Sequence, residues 1–297
     1  MISDAFVQHP KAFAAMLCRA DPDILLFDEV VPNVKASKLQ SMLDDLPLVD
    51  GEDGHIDIGI SGGRQRGAIV SRAPLEPLHE FSSVASYPEA AKRRILRSMT
   101  DAEKNNGAYS MEFGTPVNAA LIMQDGRRLL VLIIGLQCCG DTPGSWQEYR
   151  RCVEAREIRK LLRRIPDRVA VDGIVVAGDI NAVNTPIPIV RPMGPCPAPH
   201  SGLMPAELYH LDGTSTWTWD GRGTPFSSSA PDFQLYNFNA LNIESGLVLD
   251  TEDLSAADLQ TYGLEPRTSR RLSEHRPLVV EYAWLSAGPD LTKETVQ

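Results

Sequence analysis

The sequence predicts an α/β fold in which helices cover a sheet. Helical patterns twice precede apolar strand patterns, over residues 4–19 before 23–30 and over 146–164 before 172–179, and that repetition marks layered α/β architecture. Ile24-Leu25-Leu26-Phe27 and Ile174-Val175-Val176-Ala177 are apolar without alternation, as in strands covered on both faces. At 297 residues and 43% hydrophobic, the chain can bury a sizeable core. No repeat or linker divides it, so residues 1–285 read as one domain and 286–297 as a disordered tail.

In order, residues 4–19 place Phe6, Phe13, Met16 and Leu17 near helical spacing, with Asp4 as N-cap and Pro10 allowing only a broken or late start. Asp21-Pro22 ends that helix, and the strand over 23–30 carries Asp28 and Glu29 at its end. A short helix over 35–46 precedes strands at 56–60 and 68–70, which flank the turn Ser61-Gly62-Gly63-Arg64 as a hairpin. No Gly-Lys-Ser/Thr follows, so those glycines make a turn and not a phosphate loop. Residues 89–103 suggest a charged helix with Arg93, Arg94 and Arg97 on a solvated face.

Strands over 117–123 and 129–136 are joined at Asp125-Gly126, and Pro166 closes the strongest helix, 146–164. Seven prolines within 184–205 predict a long irregular loop. Residues 214–219 alternate Thr and Trp as a strand would, and 232–236 and 243–249 read as further strands. A helix near 256–262 and a strand over 278–282 complete the pattern.

The central stretch is DGIVVAGDINAVN, residues 172–184. Gly178 lets an apolar strand turn and deliver Asp179 and Asn181, whose i, i+2 spacing puts both side chains on one side. The formal charge of −10 argues against a surface that gathers a polyanion by diffuse attraction. Clustered carboxylates nevertheless suit phosphate chemistry, because the divalent cations they bind supply local positive charge.

No 18-residue apolar run and no charged-then-apolar N-terminal segment is present, so neither a membrane span nor a signal peptide is read. As given, the chain reads as cytoplasmic; loss of an upstream segment from a longer precursor would make it secreted or periplasmic. Five cysteines without a C-x-x-C pair favour reduced thiols over a zinc site or a disulfide framework. On a strand, adjacent Cys138 and Cys139 would point to opposite faces, which disfavours joint binding of one ion.

Five segments, PDILLFDEV, RGAIVSR, VVAGDIN, PDFQLYN and SEHRPLVVEY, together resemble the endonuclease/exonuclease/phosphatase superfamily, the deoxyribonuclease I-like fold, over residues 4–284. The resemblance implies a four-layer α-β-β-α sandwich of two packed mixed sheets. It also implies a Mg²⁺- or Mn²⁺-dependent phosphoesterase, most simply a phosphodiesterase acting on nucleic acid, a small molecule or a lipid headgroup. Glu29 matches the family's metal-ligand position, with Glu274 as a second or outer-shell ligand. Asp179 stands where the attacking water is oriented or deprotonated, and Asn181 where an amide binds a phosphoryl oxygen. His275 would donate to the phosphate or the leaving oxygen, its ring held by Asp232.

Four departures accompany these matches. The family's first strand and its Asn are missing ahead of Ser3-Asp4. Gly135 replaces a frequent His, Glu274 replaces an Asp, and Pro231 replaces an Arg or Ile. They leave a rival expectation, a catalytically impaired member serving as a binding or scaffold protein, and a third, hydrolysis of a non-phosphate ester at the same site.

Overall fold

The computed structural model describes residues 8–30, 34–43, 55–60, 66–78, 86–111, 114–140, 142–165, 167–182 and 202–285. Among these the chain runs α1 (Pro10–Ala20), β1 (Ile24–Val30), α2 (Ala36–Leu43), β2 (His55–Ile58), β3 (Arg66–Ser71) and β4 (Leu75–Pro77). Next come α3 (Glu89–Ser98), α4 (Asp101–Lys104), β5 (Val117–Gln124), β6 (Arg127–Ile134), α5 (Trp146–Arg164) and β7 (Gly173–Asp179). The last third holds β8 (Leu203–Pro205), β9 (Asp232–Asn237), β10 (Leu241–Val248), α6 (Ala256–Tyr262), α7 (Thr268–Leu272) and β11 (Leu278–Trp284).

The apolar runs of β6 and β7 are buried along most of their length and pair in parallel, Leu129 opposite Gly173 through Ile133 opposite Ala177. Parallel neighbours require a crossover, and α5 supplies it. These two strands centre a mixed six-stranded sheet of order β4-β5-β6-β7-β9-β8. On one face, Ala155, Ile158 and Leu162 of α5 and Ile165 just beyond its end pack against Leu130, Leu132, Ile134, Ile174 and Val176. On the other face, Ile122, Val131, Ile133 and Val175 meet Ile24, Leu26, Ile69, Tyr282 and Trp284 of a second sheet layer. Helices α1, α2, α6 and α7 close the outside of that layer, with Phe13, Met16, Leu17, Leu39, Leu43 and Leu272 against Phe27, Val70 and Val279. The result is the four-layer α-β-β-α sandwich.

Among the described residues the second layer is in two hydrogen-bonded pieces, β1-β3-β2 and β10-β11. Both share the same cores, because alternate residues of β1 (Leu25, Phe27) and of β11 (Val279) face the helices while Ile24, Leu26, Tyr282 and Trp284 face the larger sheet. Yet β11 and the start of β1 stay half-buried or exposed where β3 is buried almost throughout. The first strand that the resemblance calls for has no counterpart among the described residues.

Several expectations need correction. Helix α1 starts at Pro10 with His9 in the N-cap position, the late start that Pro10 allows, and proline is tolerated at the first helical position because its missing N–H would be unpaired anyway; the N-cap expected at Asp4 lies outside the described residues. The helix expected over 89–103 is two, broken where Thr100 forms a capping box with Glu103. Residues 214–219 are irregular apart from Trp219, which forms isolated bridges with Ser229 and His275. Within the proline-rich loop, Leu203–Pro205 forms the edge strand β8, a place proline can occupy because no ladder donor is needed there. Strand β4 and helix α7 were not anticipated. The hairpin turn at 61–64, most of the 184–205 loop and the 286–297 tail lie outside the described residues.

Candidate active site

Strand β1 delivers its two acids through a bulge. Phe27 lies opposite Ala68 and Val30 opposite Arg66, so Asp28 and Glu29 together face one residue of β3, and Glu29 takes a left-handed backbone (φ 55°). A bulge of this kind re-aims side chains that a regular strand would send to opposite faces. Asp28 Oδ1 accepts the N–H of Glu29 at 2.7 Å and Oδ2 accepts the N–H of Asp179 at 3.0 Å. Gly135 lies beneath this carboxylate, and a Cβ there would come 2.9 Å from Asp28 Oδ1. Burial of the carboxyl pushes the pKa of Asp28 up to about 7, against the lowering effect of the Asp179 N–H, and the charge on Glu29 adds to the rise.

Strand β7 ends where Gly178, at φ 138°, passes so close to Ile134 that a Cβ would lie 1.8 Å from its carbonyl oxygen. Only glycine fits such an approach in that conformation. Asp179 is 7% exposed, and its Oδ1 accepts the N–H of Asn181 at 2.9 Å in an Asx turn. Burial first, then the charges of Asp232, Asp28 and Glu29, raise the pKa of Asp179 well above the usual range, with His275 opposing them. Asn181 adopts φ 52°, a region asparagine tolerates, and its Nδ2 donates to the carbonyl of Leu136 at 3.1 Å.

Across the ladder from Asp179 stands Asp232. Its Oδ2 accepts from Thr218 Oγ1 at 2.6 Å and meets His275 Nδ1 at 2.9 Å. Burial lowers the pKa of His275, but the hydrogen bond and charge of Asp232, then the charge of Asp179, outweigh it and raise the net value. Just after His275, the buried Arg276 pairs with Asp250 Oδ2 at 2.6 Å and Asp220 Oδ2 at 2.8 Å. Its Nη1 also donates to the carbonyls of Ser273 and Glu274, which fixes the backbone that carries the imidazole.

Asp28, Glu29, Asp179, Asp232 and His275 line one recess of about 10 Å³, room for about one water-sized sphere. Ligand atoms of Asp179, Asp232 and His275 all lie within 4.8 Å of one another. Four carboxylates and one imidazole suit a hard divalent cation such as Mg²⁺ or Mn²⁺; burial first, and then the neighbouring carboxylates, raise the pKa values of Asp28 and Asp179, and a bound cation would oppose that rise by favouring their charged forms.

Of the six residues singled out in the sequence, Glu29, Asp179, Asp232 and His275 come together here. Asn181 stands beside the recess and outside its lining, its amide engaged by Leu136. Glu274 is exposed and away from the recess, and its carbonyl rather than its carboxylate joins the neighbouring network. Asp28 and Thr218 were missed. Asp28 was visible as half of an acidic pair ending an apolar strand; Thr218 carried no signal beyond an alternating Thr/Trp run.

No protein-family model and no curated protein matches the sequence. Solved structures do. Truncated TDP2 from Caenorhabditis elegans is 14% identical, covers 96% of this chain and 93% of its own, and superposes with a TM-score of 0.56. The human Nocturnin catalytic domain, solved with bound sulfate anion, is 16% identical over 96% of this chain and 90% of its own, TM-score 0.58. An endonuclease/exonuclease/phosphatase from Bacteroides vulgatus is 12% identical over 94% and 92%, TM-score 0.58. At such identities the likeness is one of fold.

Proposed function

We propose that this chain, whose fold is that of the endonuclease/exonuclease/phosphatase superfamily, is a divalent-metal-dependent hydrolase of phosphoesters, acting as a phosphodiesterase. The gathering of four carboxylates and a carboxylate-held imidazole in one recess supports this reading. Bound Mg²⁺ or Mn²⁺ would polarise a phosphoryl oxygen and offset the charge that grows on it. Glu29 would hold the ion with Asp28 as the second carboxylate, the place in which the sequence suggests Glu274.

Asp179 accepts the proton of the attacking water, the role its central position and raised proton affinity suit. His275, oriented through Nδ1 by Asp232, offers Nε2 to the phosphoryl or leaving oxygen; among the described residues Nε2 has no partner. Its raised pKa favours the protonated donor. Thr218 holds Asp232 in turn, and Asn181 braces the turn that carries Asp179. The charge of −10 favours a small phosphodiester or lipid headgroup over long nucleic acid. The sulfate bound to Nocturnin is a tetrahedral oxyanion, as a phosphate is.

Bis(p-nitrophenyl) phosphate should be hydrolysed with Mg²⁺ or Mn²⁺ and not after chelation. Absence of turnover with both metals, or full turnover in both Asp179→Ala and His275→Ala, would sink the assignment. The rival, a binding or scaffold protein, is favoured by the divided second layer, and it requires that no phosphodiester be turned over with either metal.

A further inference from the structure

Cys138 and Cys139 follow the end of β6, in an irregular loop and not on a strand. The alternation that would send adjacent side chains to opposite faces is therefore absent. Cys139 takes φ 66° and Gly140 φ 72°, and this left-handed turn folds both side chains to the same side, with the two sulfurs 3.0 Å apart in a hydrogen bond. Both residues are exposed.

The loop beneath them is fixed. Arg151, wholly buried, donates to the carbonyls of Gln137, Cys139 and Gly140 while pairing with Glu148. Gln137 in turn gives its N–H to Glu154 and its side-chain amide to the carbonyl of Cys138. Adjacent thiols held in contact by a buried guanidinium are a preorganised dithiol.

We propose that Cys138 and Cys139 form a redox-active dithiol, oxidised by a hydroperoxide to a vicinal disulfide and restored by a small thiol. The Cys139 thiolate attacks the terminal oxygen of the hydroperoxide, the O–O bond breaks, and the alcohol leaves as Cys139 becomes a sulfenic acid. Cys138, losing its proton, then attacks that sulfur; the S–S bond forms and water leaves. Two thiols and one hydroperoxide give one disulfide, one alcohol and one water.

The two sulfurs share one hydrogen bond, and it lowers the pKa of Cys139 to about 6, against burial and the charge of Glu29 and with help from Arg151, while it raises that of Cys138; Cys139 is therefore the nucleophile. Consecutive Cα atoms are about 3.8 Å apart, below the usual disulfide span of about 4.4–6.8 Å. The bond is therefore strained, and strained exposed disulfides are the readily reduced ones. This inference does not depend on phosphoester hydrolysis.

The test treats the reduced full chain with hydrogen peroxide, alkylates free thiols and maps peptides by mass. The proposal expects the peptide carrying both residues to lose two hydrogens and escape alkylation, then to regain two alkylatable thiols with dithiothreitol. It also expects Cys138→Ser to accumulate a dimedone-reactive sulfenic acid at Cys139, and Cys139→Ser to leave Cys138 unlabelled. Two alkylated thiols after peroxide, a bridge to Cys18, Cys152 or Cys196 instead, or labelling of Cys138 rather than Cys139 would overturn it.

Discussion

The carboxylate of Asp28 occupies the space above Gly135, whose Cβ, if it had one, would lie 2.9 Å from Oδ1 and 3.1 Å from Oδ2. The small residue at 135 is thus matched to an acid on a neighbouring sheet. Gly135→Ala should displace Asp28 and free the N–H of Asp179, costing about 1–3 kcal/mol of stability and about tenfold or more in metal affinity. Gly107→Ala, with nothing within 4 Å of the added carbon, is the control and should change neither. Denaturant melts and calorimetric titration with Mn²⁺ measure both.

Cation binding should be visible in stability, with a definite pH dependence. Asp28 has a folded-state pKa raised to about 7 against about 3.9 unfolded. Between those values the folded state holds more protons, so the contribution of this group is full at low pH and is lost as pH rises through about 7. The metal-free protein should lose stability from this source as pH rises from about 4 to 7. Mg²⁺ should restore it, adding about 2.7 kcal/mol at a hundredfold excess over Kd, with a larger Tm increase at pH 8 than at 5.5. An equal or reversed increase would contradict the recess as the binding site.

Arg276→Met tests the cluster behind His275. It leaves Asp220 and Asp250 buried without their shared cation, a change worth about 3–5 kcal/mol. The hydrogen bonds and charge of Arg222, opposed by burial and joined by Arg276, hold Asp220 well below the ordinary carboxylate range. Burial would raise Asp250, but Ser269, the Glu252 N–H and Arg276 outweigh it and bring it down. Both folded values are depressed, so the stability they add is present above about pH 4 and lost as pH falls through the folded values. The variant should therefore show a smaller loss between pH 4 and 2 than the wild type, in thermal melts at each pH.

Thr218→Val removes the hydroxyl that donates to Asp232 at 2.6 Å and keeps the volume. Asp232 then holds His275 less firmly, and kcat toward bis(p-nitrophenyl) phosphate should fall about 10–100-fold with KM little changed. Rescue by Thr218→Ser would separate loss of the hydrogen bond from loss of packing; a Ser variant as poor as Val would argue against the positioning role.

The sequence made β6, β7 and α5 legible because each is long and follows one period over its length. Asp179, Asp232 and His275 could be read as polar residues at the ends of apolar strands, and the fold does bring them together. Asp28 was hidden by its neighbour, since on a regular strand only one of two adjacent acids faces inward, and a bulge leaves no mark on composition. The vicinal cysteines were misread for the same reason: a single left-handed residue at 139 cancels the alternation. Charged residues buried along α5, such as Glu148, Arg151 and Glu154, look in sequence like any solvated helix face, because their partners are loop carbonyls and amides contributed by tertiary contact.

The division of the second sheet layer bears on how the recess comes apart. Asp28 and Glu29 ride on the three-stranded piece, Asp179 and Asp232 on the six-stranded sheet, and His275 on the approach to the two-stranded piece. No ladder of backbone hydrogen bonds joins the first and last of these among the described residues. Each piece can therefore open with its own free energy, as cooperative units within a domain do. The recess lies at the seam of three such units, so partial opening of any one disperses the constellation while most helices and strands persist.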